Sequence, residues 1–159
     1  MASELIIYPS AIKYMGNGVI NLESDTFKLM LLTSAYTPNL AHTILADVQA
    51  SPDPEVVAVA SPDNGYHAGG ETLTGVTWTN TVSPAQAMFD ALDVLWTLLD
   101  ATFRYGLIYA LKSTGSPAIV NPLLAYILFN TTPADVVVAG VNYEVRYTSS
   151  GIFTAAQSA

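Results

Sequence analysis

Glycines and turn-forming residues are concentrated in one segment, Asp63-Asn64-Gly65-Tyr66-His67-Ala68-Gly69-Gly70. A glycine-rich loop can bind phosphate, because backbone amides without a neighbouring Cβ approach the phosphate oxygens closely. A P-loop also needs a Gly-Lys-Ser/Thr end, a following helix and its lysine, and the segment has no basic residue nearby. We therefore interpret the segment as a structural turn, with the tyrosine packed against a sheet. The residues that define this turn are Gly65, Tyr66, Gly69 and Gly70.

The two histidines, His42 and His67, are candidates for metal binding or for acid–base catalysis. They are too far apart in sequence for a metal-binding pair on adjacent turns of one helix. Either histidine could form a dyad with a carboxylate such as Asp47 or Asp63. Because a catalytic or metal site needs several groups that converge, we interpret both histidines as partly exposed loop residues. We expect neither a metal nor a cofactor.

Two sets of carboxylate side chains are candidates for metal binding or catalysis. The first set is a candidate for calcium binding and consists of Asp53, Glu55, Asp63 and Glu71. It lacks the spacing of an EF-hand loop, and carboxylates in turns are typically solvated. The second set, Asp90, Asp93 and Asp100, could supply the paired acids of a glycoside hydrolase, because that pairing is set in space and not in sequence. We interpret these three residues as strand ends.

Nucleophilic catalysis has no support in the sequence, which contains no cysteine and no Gly-x-Ser-x-Gly motif. Trp78, Trp96 and nine tyrosines could stack against sugar rings. Aromatic residues at alternating strand positions are more typical of a core or an interface. We therefore predict that the protein is not an enzyme.

The chain carries few charges for its length. Lys and Arg together number 5 and Asp and Glu 13, so that 11% of the residues are charged and 51% are hydrophobic, against about 25% charged in an average protein. A surface with few charges is either rich in Thr, Ser and Asn or covered by another protein. Interfaces of obligate oligomers are depleted in charge and more apolar. Both interpretations remain open, and they are compatible.

The sign of the charge argues against two classes of partner. The formal net charge is −8, and the five basic residues are scattered, so the chain lacks the cluster that nucleic acid or an anionic membrane requires. Its apolar runs end well short of the about 18 residues of a membrane-spanning helix. Glu4 occupies the region where a signal peptide is basic. We expect synthesis in the cytoplasm and no export by the usual route.

The elements that must position these residues are short β-strands. The clearest alternation runs through Ala101–Leu111, where every second residue from Phe103 onward is large and apolar. Strands at intervals of about 8–12 residues, separated by Gly and Pro turns, predict a β-sandwich or barrel. The other predicted strands are Phe27–Thr33, Glu55–Ala60, Thr72–Asn80, Ala87–Asp90, Val94–Thr97, Leu123–Asn130, Val136–Ala139, Val141–Tyr147 and Gly151–Thr154.

We divide the chain into an N-terminal arm or short helix (residues 1–19), a β-sandwich domain (residues 20–154) and a frayed tail (residues 155–159). Pro9 suits the first turn of a helix that ends before Gly16. Alternatively, Leu5, Ile6, Ile7 and Tyr8 form an extended arm that adds a strand to a neighbouring subunit. The sequence leaves both alternatives open.

An ordered set of motifs covers residues 20–153. The motifs are Ser24–Asn39, His42, Asp47-Val48, Glu55-Val56, Gly65–Gly70, Leu73, Phe89-Asp90, Asp93–Thr97, Thr102–Tyr105 and Asn121–Phe129. This ordered set resembles a family of small virion structural proteins of tailed bacteriophages and prophages, whose members are known as head decoration or cement proteins. The resemblance implies a β-sandwich, often of jelly-roll type, that forms a trimer on the outside of the capsid and bridges neighbouring capsomers. It brings no catalytic residues.

Three functions follow, in decreasing order of support. The first is a non-enzymatic homo-oligomer, expected as a trimer, that binds the major capsid protein on the surface of the virion. The second is a tail or receptor-binding module that recognises surface carbohydrate through its aromatic residues. The third is a glycan-processing enzyme. Burial of Trp78 and Trp96 would weaken the second function, whereas two carboxylates facing one groove would favour the third.

Overall fold

The computed structural model describes residues 3–50, 52–82, 85–132 and 134–156. Two helices lie in these residues, α1 (Pro9–Gly16) and α2 (Leu45–Val48). The strands found there are β1 (Glu4–Ile7), β2 (Phe27–Leu32), β3 (Glu71–Thr72), β4 (Thr77–Val82), β5 (Ala85–Asp90), β6 (Val94–Phe103), β7 (Tyr105–Ala110), β8 (Ser113–Thr114), β9 (Ile119–Val120), β10 (Leu123–Leu128), β11 (Val136–Val145) and β12 (Phe153–Ala156).

The largest sheet has the strand order β1-β10-β7-β2-β3, and all of its neighbours are antiparallel. Its central strands are buried on both faces, as in the Leu29–Leu32 part of β2 and the Gly106–Ala110 part of β7. A strand covered on both sides reads as a continuous apolar run and not as an alternation. This explains why the sequence predicted β2 and β10 close to their observed bounds.

A second layer covers this sheet and consists of a three-stranded sheet, β12-β5-β4, and a two-stranded ribbon, β11-β6. Aromatic pairs join the layers. The rings of Phe27 in β2 and Phe89 in β5 lie 5.2 Å apart, and those of Phe129 and Tyr143 lie 6.3 Å apart. One hydrophobic core fills the space between the layers. The prediction of an all-β sandwich of antiparallel sheets is therefore confirmed.

The prediction of one strand over Ala101–Leu111 is wrong. The ribbon strand β6 ends at Phe103, and β7 begins at Tyr105 in the other layer. Arg104 makes the connection, because its nitrogen donates to the Leu32 carbonyl at 2.8 Å while its own carbonyl accepts from Phe129. Leu111 lies beyond β7 and is half exposed. An alternation of apolar residues cannot reveal that the chain changes sheets.

Other strand bounds also differ from the predictions. Glu55–Ala60 forms no ladder, since the bridges described there join Leu32 to Glu55 and Ala60 to Asp63. Thr72–Asn80 is divided into β3 and β4 by a turn at Gly75, whose φ is 60°. By contrast, β11 continues through Gly140 with two shifts of register, where two separate strands were predicted. Intrinsic propensity predicts an extended backbone but not the neighbour that a strand needs.

The N-terminal segment contains both a strand and a helix. Leu5, Ile6 and Ile7 pair with β10 of the same chain, and α1 starts at Pro9. Tyr8 is fully buried between them, with its hydroxyl oxygen 2.6 Å from that of Tyr36. The addition of Leu5–Tyr8 as a strand to a neighbouring subunit stays a prediction, because β1 pairs with β10 on one side and is an edge strand of the sheet among the described strands.

The C-terminal strand continues past the predicted limit of the domain. Ala155 and Ala156 pair with Ala87 and Gln86 in β5, although residues 155–159 were predicted to fray. Alanine has a weak preference for strands, but the register with β5 extends through both positions. Residues 157–159 of the predicted tail lie outside the described residues.

Candidate functional site

The glycine-rich turn is held by the carboxylate of Glu55. The Tyr66 hydroxyl donates to Glu55 Oε1 at 2.9 Å and accepts from the Leu31 nitrogen at 3.3 Å. The Gly69 nitrogen donates to the same carboxylate oxygen, and the Gln49 side-chain amide donates to Oε2 at 3.0 Å. Tyr66 is 2% exposed. Both oxygens of the Glu55 carboxylate therefore accept hydrogen bonds from other parts of the fold.

The glycines of this turn are needed for close approach to the two sheet layers. Gly65 has a φ of 69°, and a Cβ there would lie 2.3 Å from the Thr97 carbonyl oxygen in β6. Gly70 has a φ of 75°, and a Cβ there would lie 2.1 Å from the Leu29 carbonyl oxygen in β2. The neighbour that the turn approaches is thus protein backbone and not a phosphate.

Among the described residues neither histidine forms a hydrogen bond to the carboxylate considered for it from sequence, although His42 lies close enough to Asp47 to interact with it electrostatically. His67 Nδ1 lies 2.8 Å from Glu71 Oε1, and the histidine side chain is 72% exposed. Asp63 Oδ1 accepts from the Gly65 nitrogen. Asp47 accepts from Thr43 and Ile44, next to α2. Burial raises the pKa of Asp47, but these hydrogen bonds outweigh burial, so its pKa is lowered overall.

The carboxylates of the first set have local partners. Among the described residues no group of three or more His, Cys, Asp or Glu side chains could hold a metal ion. Of the second set, Asp90 and Asp93 both lie close to Tyr147, whose nitrogen donates to Asp93 Oδ1 at 2.9 Å. Burial, and then these two charges, raise the pKa of Tyr147. Asp100 lies on β6, opposite Ala139, and not with the other two.

The two tryptophans have different environments. Trp96 is 1% exposed and belongs to the core, which weakens the carbohydrate hypothesis for this residue. Trp78 is partly buried, with its ring 6.2 Å from that of Phe153. It also lines a groove of about 280 Å³ that contains Asn21 and Glu23. A second groove, of about 390 Å³, lies between the start of β1 and the end of β11.

The most unusual feature of the ribbon is its uncovered apolar face. The inward residues of β6 and β11, such as Trp96 and Val138, belong to the core. The outward residues include several that are also large and apolar. Their exposed fractions are 49% for Leu95, 66% for Leu98, 72% for Val137 and 56% for Val141. Within the described chain β6 and β11 pair with each other and with no third strand.

Leu98 adopts a backbone conformation that leucine rarely takes. Its φ is 53°, in the left-handed region, which costs a non-glycine residue roughly 1–2 kcal/mol. Two consecutive residues, Thr97 and Leu98, are exposed at this point of β6. The Leu98 nitrogen donates to Asn142 Oδ1 at 3.2 Å, and Gly65 packs over the Thr97 and Leu98 carbonyls. Neighbouring elements thus hold a strained backbone that presents a leucine to solvent.

Hydrogen bonds of Asn64 hold a second exposed apolar segment, residues 57–59, beside β6. The Asn64 side-chain amide donates to the Val57 carbonyl at 2.9 Å, and its Oδ1 accepts from the Val59 nitrogen at 3.0 Å. The Asn64 carbonyl accepts from the Asp100 nitrogen in β6 at 2.8 Å. Val57 is 74% exposed and Val59 40%. We call the combined set the ribbon surface, which consists of Val57, Val59, Leu95, Leu98, Val137 and Val141.

Sequence reasoning missed the ribbon surface. It did predict a strand over Glu55–Ala60, and the exposed Val57 and Val59 are the residues that supported that prediction. The available signal was this run of β-branched residues, because the structure gives the run no partner strand and leaves its side chains exposed. The exposure of Leu98 could not be predicted from the sequence. It depends on the left-handed backbone of Leu98 within β6 and on its hydrogen bond to Asn142, which is distant in sequence.

The comparisons with known proteins give no relative for the chain. Protein-family models, curated proteins and solved structures were searched, and none matches. In the described ranges no helix has the length and apolar character needed to cross a membrane.

Proposed function

We propose that the chain is a non-enzymatic virion structural protein of a tailed phage. In this proposal it binds the major capsid protein on the outside of the head and bridges neighbouring capsomers. It is made in the cytoplasm of the host and assembles as a homo-oligomer, with a trimer as the expected form. The sandwich is then expected to follow a jelly-roll topology.

The observation that carries the proposal is the amount of exposed apolar side chain on a protein with few charges. Burying a large aliphatic side chain contributes roughly 1.5–3 kcal/mol when it is complete, so association would stabilise these surfaces. The large hydrophobic residues exposed in the described part of the chain are Ile12, Leu40, Val57, Val59, Leu92, Leu95, Leu98, Leu111, Val120, Val137 and Val141.

Three further points support the proposal. The carboxylates that the sequence offered for chemistry, such as Glu55 and Asp47, hold turns and a helix end in place through hydrogen bonds. The net charge of −8 suits a surface that faces away from packaged DNA. The ordered motifs over residues 20–153 resemble phage decoration proteins.

Immunogold labelling of purified virions tests the location. An antibody against the purified chain is expected to label the head at many positions per particle. Virions from a deletion mutant of the gene are the control for antibody specificity. Absence of label on wild-type particles, or label confined to the tail tip, would contradict the head location.

The alternative function is a tail or receptor-binding module that recognises surface carbohydrate. The observation that favours it is the groove beside Trp78, where an indole ring lies with Asn21 and Glu23. Aromatic faces and such polar side chains suit a sugar. The test is binding of the chain to host cells. A loss of binding in Trp78→Ala, with Phe153→Leu as the packing control, would favour this alternative over the head protein.

A further inference from the structure

We infer that Asn17 is a site of spontaneous deamidation in the folded protein, whereas Asn64 is protected from the same reaction. These are the asparagines that a glycine follows in this sequence, as Asn17-Gly18 and Asn64-Gly65. The reaction consumes only water, so the inference goes beyond the proposed function and does not depend on it. The modification adds one negative charge to a chain whose formal net charge is already −8.

The reaction is an attack of the backbone on the side chain that precedes it. The glycine nitrogen loses its proton to hydroxide and bonds to the asparagine Cγ, while the Cγ–Nδ2 bond breaks and ammonia leaves. Water then opens the cyclic imide at either of its carbonyls, which yields aspartate or isoaspartate. In sum, one water is consumed and one ammonia is released. Glycine favours ring closure because it has no Cβ to obstruct the attacking nitrogen.

The side-chain amide of Asn64 is held at both of its ends. Its Nδ2 donates to the Val57 carbonyl at 2.9 Å and to the Asp100 carbonyl at 3.4 Å. Its Oδ1 accepts from the Val59 nitrogen at 3.0 Å and from the Tyr66 nitrogen at 3.4 Å. Ring closure turns Cγ onto the next backbone nitrogen, so the amide must leave these partners. The backbone groups left behind would then lack hydrogen bonds, which is unfavourable.

The backbone at Asn64 is also fixed. Its carbonyl accepts from the Asp100 nitrogen in β6 at 2.8 Å. The nitrogen of Gly65, which is the attacking atom, donates to Asp63 Oδ1 at 2.9 Å. Gly65 packs so closely that a Cβ there would lie 2.3 Å from the Thr97 carbonyl oxygen. The peptide between the two residues therefore cannot turn toward the side chain without displacing β6.

Asn17 is in the opposite situation. It is exposed and follows the last residue of α1, with a φ of −92° and a ψ of 2°. In the described part of the chain its side-chain amide has no hydrogen-bond partner. Gly18 has a φ of 70° and no heavy atom within 4 Å of its Cβ position, so the peptide has room to turn. The Gly18 nitrogen donates only to the Met15 carbonyl, at 3.2 Å, and helix ends fray.

The product changes the end of α1. A carboxylate at Asn17 lies at the negative end of the helix dipole, where an anion is unfavourable. Isoaspartate also lengthens the backbone by one carbon between the helix and Gly18. Gly18 and Met15 line the groove that contains Trp78. Deamidation therefore places a negative charge next to this groove.

The experiment is peptide mapping by mass spectrometry after incubation of the full chain at mildly alkaline pH. One sample is folded, and the other is unfolded in guanidinium chloride. In the folded chain the Asn17 peptide should convert about tenfold faster than the Asn64 peptide or more. Tenfold is the rate factor for about 1.4 kcal/mol, which is the cost of breaking one or two hydrogen bonds. In the unfolded chain the two peptides should convert at similar rates.

Asn17→Gln is the matched control, because its longer side chain would have to close a larger ring. This variant should not accumulate the acidic form that ion-exchange chromatography separates from the aged wild type. Asn17→Asp should elute with that acidic form from the start. Labelling by an isoaspartyl methyltransferase should be present in the aged wild type and absent from aged Asn17→Gln.

Several results would overturn the inference. Equal conversion of both asparagines in the folded chain would show that the hydrogen bonds of Asn64 do not protect it. Faster conversion at Asn64 would show that the Asp63 carboxylate acts as a base on the Gly65 nitrogen and outweighs those bonds. An Asn17 that converts only after unfolding would show that the end of α1 is too rigid for ring closure. A preference for Asn17 that remains unchanged after unfolding would assign it to local sequence and not to the fold.

Discussion

The hydroxyl of Tyr66 links Glu55 Oε1, at 2.9 Å, to the backbone nitrogen of Leu31 in β2, at 3.3 Å. This one side chain therefore joins the glycine-rich turn to the central sheet. Tyr66→Phe removes the hydroxyl and leaves a buried amide and part of a carboxylate without partners. We expect a loss of about 1–3 kcal/mol in the free energy of unfolding, measured by urea denaturation.

Tyr14→Phe is the matched control for this prediction. Tyr14 is partly exposed and packs against the core from α1. Removing its hydroxyl should change the free energy of unfolding by less than about 0.5 kcal/mol. Equal effects of the two substitutions would show that the hydrogen bonds of Tyr66 do not hold the turn.

Gly70 is predicted to be the most sensitive glycine of the turn. A Cβ there would lie 2.1 Å from the Leu29 carbonyl oxygen, so Gly70→Ala must displace the backbone of β2. Gly18 has a similar φ of 70° but no heavy atom within 4 Å of its Cβ position. Gly18→Ala should therefore cost about 1 kcal/mol from conformation alone. Gly70→Ala should cost several times more or prevent folding, as measured by thermal unfolding monitored by circular dichroism.

Buried tyrosines predict that the protein loses stability in alkali. Burial, and then the charge of Glu55, raise the pKa of Tyr109 to about 12. Burial also raises the pKa of Tyr8 and of Tyr66. The unfolded chain ionises its tyrosines near pH 10. The stabilisation is thus complete below about pH 10 and is lost as the pH rises toward about 12 and beyond, by roughly 1.4 kcal/mol per pH unit for each tyrosine.

The measurement is the free energy of unfolding across this alkaline range, with tyrosinate absorbance recorded in parallel. The tyrosinate absorbance of these buried tyrosines should appear together with unfolding and not before it. Tyr8→Phe removes one of these groups, so its stability should fall less steeply with pH. Free energies that do not change above pH 10 would contradict the burial of these hydroxyls.

Two ion pairs are expected to differ in their contribution to stability. Lys112 Nζ lies 2.7 Å from both carboxylate oxygens of Asp25, and the two side chains are 22% and 13% exposed. The Arg146 side chain in the pair with Glu144 is 77% exposed. Asp25→Asn should lower the free energy of unfolding by about 1–3 kcal/mol, whereas Glu144→Gln should change it by less than about 1 kcal/mol. The measurement is urea denaturation of the two variants. A larger loss in the free energy of unfolding for Glu144→Gln than for Asp25→Asn would contradict the prediction.

The sequence was sufficient to predict strands that are buried on both faces. In β2 and β10 both faces are covered, so a continuous apolar run was sufficient. It did not predict the change of layer at Arg104, because Phe103 and Tyr105 continue one alternation although they lie in different sheets. It also did not predict the ribbon surface. The alternation of β6 separates two faces, but which face remains uncovered depends on the number of strands that the rest of the chain supplies.

The residues of the candidate site could also be predicted only in part. The structural role of Gly65 and Gly70 followed from local composition, because close approach to backbone needs only the residue type and its conformation. The pairing of His67 with Glu71, and the three hydrogen bonds on Glu55, depend on how the turn folds back on the sheet. Residue types within a turn therefore indicated that it is structural but not which atoms hold it.

The most direct test of the account is a cryo-electron microscopy reconstruction of the intact virion that carries this chain. The account predicts a β-sandwich at the outer surface of the head, where each copy contacts the capsid lattice. A head surface without this domain, or the same domain found at the tail, would contradict the central claim.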